Sequence, residues 1–217
     1  MNLPFTTDQF LDVFGLYNTS VWPAQIFLLL IALVSILFSV FKTRSSSLII
    51  SVSLSTLWLW DGIVYHFIFF RPINKLANLF AALFILQAVL FLYFGVITKQ
   101  LNFEYKNRIV NVAAIVLFLY ALIFYPLLGI AFGHIYPRIP TFGLPCPTTI
   151  FTFGLILLVD KRINAILFII PFIWSLIGFS AALKLGILQD IGLLASALIA
   201  FGHLFYEKSR KNQINKV

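Results

Sequence analysis

Residues 48–70 read LIISVSLSTLWLWDGIVYHFIFF, an unbroken apolar run with one formal charge, at Asp61. As an α-helix this run is roughly 35 Å long, enough for the ~30 Å hydrocarbon core of a bilayer. It lacks the period-two alternation of a barrel strand. The stretch therefore reads as a membrane-spanning helix, and its neighbours repeat its character.

The whole chain has 217 residues, 61% hydrophobic and 10% charged, with a mean hydropathy of +1.02. A soluble domain is about half apolar and about a quarter charged. This composition excludes a soluble enzyme, a disordered regulator and a disulfide-stapled secreted domain. Cys146 is the single cysteine, so the chain has no internal disulfide and gives no redox compartment. The net charge of +8 does not point to nucleic acid, because no soluble segment interleaves basic residues with stacking aromatics.

Seven apolar stretches follow one another, over residues 21–41, 48–70, 73–97, 109–132, 147–159, 163–183 and 191–206. All but the fifth have the length to span a bilayer. Residues 1–20 lack the basic start and continuous apolar core of a signal peptide. They place Phe10, Val13, Phe14 and Tyr17 at i, i+3, i+4, i+7, with Thr6 or Thr7 as a cap. That pattern predicts a short amphipathic helix lying on the membrane surface. The expected fold is all-α: a polytopic bundle of seven transmembrane helices (21–206), preceded by the interfacial segment 1–20 and followed by a basic tail, 207–217.

Charge sets the expected orientation. With the N-terminus outside, the inner loops and tail hold Lys42, Arg44, Lys99, Lys106, Arg108, Lys161, Arg162, Lys208, Arg210, Lys211 and Lys216. Arg71, Lys75, Arg138 and Lys184 remain outside. Positive residues favour the cytoplasmic side, so the C-terminus is expected inside. No internal repeat of the kind found in many transporters is visible, since Pro23 and Pro171 fall at different depths.

Ionisable groups at membrane depth are costly and each needs a reason. Asp61 lies ten residues before Arg71, near the midplane by helical rise. It shares a face with Trp58 and Tyr65. A proton or cation site, a buried neutral acid and a packing hydrogen bond all fit it. An ideal α-helix turns His66 about 140° away from Asp61 and level with Asn78, where a His–Asn bond between neighbouring helices is expected. Gln87 falls about level with Thr56.

The outer segment 133–147 carries four prolines and two glycines, which forbid a regular helix. It also carries Phe142, Leu144 and Cys146. The helix after it, from Pro147 to Val159, covers only about 20 Å. The loop is therefore expected to dip into the membrane, lining a vestibule or plugging it. Thr148 and Thr149 can satisfy free amides at that helix start. His66, His134, Cys146 and Asp190 all map to the outer third, so a metal site built on His66, His134 and Cys146 is a candidate, without any recognised local ligand spacing. Gly192, Ser196 and Ala200 read as a close-packing stripe, with His203 continuing it at the inner end. Pro126 and Pro171 interrupt the fourth and sixth stretches, and Ser175 and Gly178 leave room for a neighbouring helix.

Several blocks resemble a family of small bacterial membrane proteins known as a domain of unknown function. They are Leu3-Pro4-Phe5-Thr6 with Gln9-Phe10, Asn18 with residues 21–25, Tyr65-His66 with Phe69-Phe70, residues 142–152, and Gln189 to Leu193. The resemblance covers nearly the whole chain and implies a bacterial inner membrane. Proteins of this kind are sometimes labelled permeases. Seven-span hydrolases of the ceramidase type set three histidines, an Asp and a Ser around zinc. Here the late paired histidines are missing and His203 falls at the other face.

The expected function is a small-solute or ion permease with an outward vestibule. The ligand candidates are Asp61, Tyr65, His66, His134, Cys146, Thr148, Thr149 and Asp190. An intramembrane metal-dependent enzyme and a non-catalytic scaffold or sensor are the alternatives. No catalytic residue and no cofactor is assigned; membrane lipid and a small solute or ion are the expected partners.

Overall fold

The computed structural model describes residues 3–105, 109–159 and 164–214, with side chains as far as Tyr206. Lys106, Arg108, Lys161, Arg162, Ile163 and Lys216 lie outside the described residues, as do the side chains of Lys208, Arg210 and Lys211. The protein is an all-α helical bundle, and no β-strand occurs among the described residues. In chain order the helices are α1 (Thr7–Ser20), α2 (Ala24–Val40), α3 (Ser46–Phe70), α4 (Ala77–Ile97) and α5 (Ile109–Ala131). They continue with α6 (Pro145–Leu157), α7 (Ile166–Leu185) and α8 (Ile191–Ile214).

Each of the seven apolar stretches is helical. Among the described residues five helical segments are long and apolar enough to cross a membrane: Ser46–Phe70, Ala77–Ile97, Ile109–Ala131, Ile166–Leu185 and Leu188–Tyr206. α2 alone, at 17 residues, is shorter than the expected span over 21–41, and it reaches that length only when counted as one span with α1, from which it is bent by 88°. α6 is short, at 13 residues.

α6 is the centre of the bundle. It packs against α3, α5, α7 and α8. Every α6 residue except Cys146 is buried. A 13-residue helix is roughly 10 Å shorter than the hydrocarbon core. Wrapping it in protein removes the mismatch, because its non-helical ends then meet other helices and not lipid. Close approach is built in at two glycines: a Cβ on Gly154 would stand 2.6 Å from the Phe118 ring of α5, and one on Gly178 of α7 2.6 Å from Leu193 of α8. The stripe on α8 works similarly, with Gly192 against the Tyr120 ring and Ser196 and Ala200 fully buried.

α1 is the expected amphipathic helix, and Thr6 caps it in a capping box with Gln9. Its apolar face packs on the bundle: Phe10 and Phe14 join Phe5, Tyr65 and Phe70 in one aromatic cluster. Tyr17, completely buried, donates to the Gly143 carbonyl at 2.6 Å and accepts from Trp60 Nε1 at 2.8 Å. Asn18 donates to the carbonyls of Pro137 and Ile139, both at 2.7 Å. Arg138 pairs with Asp8 and Asp12. The loop 133–144 and α1 thus form one cap over the end of the bundle. At the opposite end, Lys42 donates to the Phe103 carbonyl and pairs with Glu104, while Phe103 bridges to Val159.

Three helices contain π-helical turns: Asp61–Phe70, Tyr93–Ile97 and Tyr120–Phe124. The last precedes Pro126, so the missing proline N–H is accommodated by a wider turn. Pro171 sits inside α7, where Ser175 donates to its carbonyl at 2.8 Å.

A capped pocket with a carboxylate floor: the candidate functional site

The π-helical segment of α3 decides which polar groups meet. In a π-helix residues four and five apart share a face. Asp61, Tyr65 and His66 are accordingly all buried on one side of α3. The α-helical expectation that His66 turns 140° away from Asp61 is thereby corrected. The wider turns also advance less per residue, so Asp61 lies nearer the capped end than straight α-helical counting gives.

His66 does not bond Asn78. Both its ring nitrogens lack a hydrogen-bond partner, and its ring is boxed by Phe84 at 4.6 Å, Trp174 at 5.0 Å and Phe80 at 5.7 Å between centroids. Asn78 instead donates to the Lys75 carbonyl. Gln87 reaches a different helix and donates to the Leu167 carbonyl at 3.0 Å. Asp61 is 0% exposed, and the Thr148 hydroxyl beside it is placed to donate to its carboxyl.

α6 begins at Pro145, two residues earlier than expected, after Leu144 in an extended conformation. The expected Thr148 and Thr149 make no capping bond to an amide there. Thr149 and Thr152 donate back to the carbonyls of Pro145 at 2.7 Å and Thr148 at 2.8 Å. Thr152 in turn accepts from Trp58 Nε1 at 2.9 Å.

Cys146, on the first turn of α6, donates to Asp190 Oδ2 at 3.4 Å. Tyr125 of α5 donates to Asp190 Oδ1. Tyr120 holds the adjacent backbone by donating to the Gln189 carbonyl at 2.7 Å. Asp190, 6% exposed, is thus fixed by two donors, one on each oxygen. Each oxygen keeps a lone pair for a further donor.

These three residues form the polar floor of a pocket of about 170 Å³. Its walls are Phe5, Phe10 and Phe14 of the cap, Phe80 of α4, and Trp174 and Ala181 of α7. Tyr65 also lines it, whereas Asp61 does not. The pocket joins Tyr65, Cys146 and Asp190 among the expected site residues, and leaves Asp61, His66, His134, Thr148 and Thr149 out of its lining.

His134 stays apart. It follows Gly133 (φ +89°) at the C-terminal end of α5, and partial burial lowers its pKa below the ordinary histidine value. His66, His134 and Cys146 do not converge: among the described residues no group of three or more His, Cys, Asp or Glu is placed to hold a metal. The sequence reading missed Tyr125, because a tyrosine toward a helix end reads as part of an interfacial belt, and Trp174, because an aromatic in mid-helix reads as ordinary packing.

The chain is therefore an all-α bundle of apolar helices around a capped, carboxylate-floored pocket. Over residues 7–216 it matches the model of a family of unknown function, DUF6064, and it belongs to that family. No curated protein and no solved structure matches it.

Proposed function

We propose that the protein is a multi-pass membrane protein that binds a small apolar molecule with a hydrogen-bond-donating head. The pocket carries this reading. An apolar cavity of about 150 Å³ holds a benzene-sized body, and the carboxylate of Asp190 accepts an ammonium or hydroxyl. The positive-inside bias puts the cap outside and the end with Lys42, Arg44 and Lys99 in the cytoplasm, and the bacterial inner membrane fits that orientation.

Phenethylamine, phenethyl alcohol and phenylacetate are suitable probes, read by calorimetry or by fluorescence of Trp174 in detergent. The amine and alcohol are expected to saturate, and phenylacetate to bind at least about tenfold more weakly, since a hydrogen bond to a charged group contributes about 1.5–3 kcal/mol. Asp190→Asn is expected to weaken the amine by a similar factor, and Ala181→Leu to abolish binding by filling the cavity. Saturation that is indifferent to both variants removes the pocket from the function.

Passage of a solute or ion through the bundle is the second reading, favoured by the fully buried carboxyl of Asp61. A panel of ions and small solutes in proteoliposomes tests it. If Asp61→Asn carries every observed flux as wild type does, Asp61 has no part in it.

A further inference from the structure

The pocket floor is equipped for more than binding. Cys146 lines the cavity and is the one α6 residue that is not buried. Its thiol donates to Asp190 Oδ2 at 3.4 Å, and Tyr125 donates to the other carboxylate oxygen. A nucleophile bonded to a base, with the base oriented by a third group, is the arrangement of an activated nucleophile. Asp190 and Tyr125 line the same cavity, whose remaining walls are mostly apolar. The start of α6 narrows the chemistry. Attack on an ester or thioester puts negative charge on the oxygen of the attacked carbonyl, which an oxyanion hole of amides must hold. Pro145 and Pro147 have no N–H, and the Thr148 amide donates to the Leu144 carbonyl at 3.2 Å. The first turn therefore offers at most the Cys146 amide, which is a poor hole for acyl transfer. Conjugate addition places its charge on an oxygen remote from the attacked carbon and needs instead a proton donor beside the sulfur.

We infer that Cys146 captures small apolar α,β-unsaturated carbonyl compounds in the pocket, with Asp190 as its base and Tyr125 orienting the carboxylate. This rests on the pocket reading above and adds a second class of ligand to it. The Asp190 carboxylate takes the Sγ proton as sulfur bonds the β-carbon. The π pair of the C=C bond shifts, and an enolate forms. Asp190 then returns the proton to the α-carbon as the C=O bond re-forms. A thioether and an ionised Asp190 remain, and no oxidant or reductant is consumed. Moving the proton as the bond forms avoids a thiolate beside a carboxylate in an apolar cavity, where two like charges repel strongly.

Cyclohexenone, a benzene-sized enone, is the probe, and the intact mass of the purified protein in detergent is the readout. Wild type is expected to gain the mass of a single enone, mapped to Cys146, faster than free cysteine reacts under the same conditions. Asp190→Asn is expected to slow labelling by about 100-fold, the contribution of a positioned base. Its residual rate should keep climbing with pH, because the thiolate must then form unaided, whereas wild type levels off at a lower pH. Tyr125→Phe is expected to slow labelling about tenfold, the value of a hydrogen bond to a charged group, and it decides the matter if Asp190→Asn does not fold. Phenethylamine should protect Cys146 by occupying the same cavity. If phenethylamine binds but cyclohexenone labels no faster than it labels free cysteine, the capture is overturned and the pocket reading stands. The capture is equally overturned if the variants that fold label at the wild-type rate, as for a thiol that only packs against the carboxylate.

Discussion

Phe151→Ala is expected to destabilise the bundle by about 2–3 kcal/mol. In water the loss would include a transfer term, but helices in lipid have little hydrophobic drive to associate. What remains is the cavity, at about 24 cal/mol per Å³ over the roughly 100 Å³ that the change removes. Phe151 is fully buried on α6, with the Phe118 ring at 5.1 Å and the Phe142 ring at 5.6 Å. Its loss therefore loosens the central helix from both α5 and the outer loop. Melting in detergent, or unfolding in mixed micelles, reads the effect. Leu198→Ala is the control: that side chain is 55% exposed on α8 and should cost little. Equal losses at the two positions would show that α6 is not the packing centre.

Gly143→Val is expected to be comparably severe, at about 2–4 kcal/mol, adding backbone strain to overpacking. Gly143 has φ +93°, where a β-branched residue is an outlier. A Cβ there would lie 2.5 Å from Leu28 Cδ1 and 3.2 Å from Tyr17 Oη. The Tyr17 hydroxyl bonds the Gly143 carbonyl, so the strain passes directly to α1. Two readouts should move together: a lower melting temperature, and faster proteolysis within residues 3–20. Phenethylamine binding should also weaken, because Phe5, Phe10 and Phe14 form a wall of the pocket. A variant with a lowered melting temperature but an intact cap would show that Gly143 supports the loop alone.

Helix positions were legible because apolar runs of membrane length have few other readings. The face that α1 buries was not, since Phe10, Phe14 and Tyr17 suit a lipid surface and a protein surface equally. Nor was the centrality of α6, because a helix that is apolar all round can face lipid or protein. The burial of Asp61, Tyr65 and His66 together along α3 depends on a π-helical hydrogen-bond pattern, which leaves no local signature. In the site, Asp61, Cys146, Thr148 and Asp190 were visible as rare polar groups among apolar neighbours. The hydroxyl of Tyr125 was hidden by the ordinary preference of tyrosine for interfaces.

The brevity of α6 has a consequence for how the chain is made. During synthesis α6 emerges before α7 and α8, two of the helices that later enclose it. At roughly 20 Å it is too short to rest alone across a bilayer. Its integration into a bilayer is expected to wait for the two helices that follow, with the second half of the protein entering as one cooperative unit. A chain truncated after residue 160 should leave α6 accessible to water-soluble thiol reagents at Cys146, whereas the full-length chain should protect it.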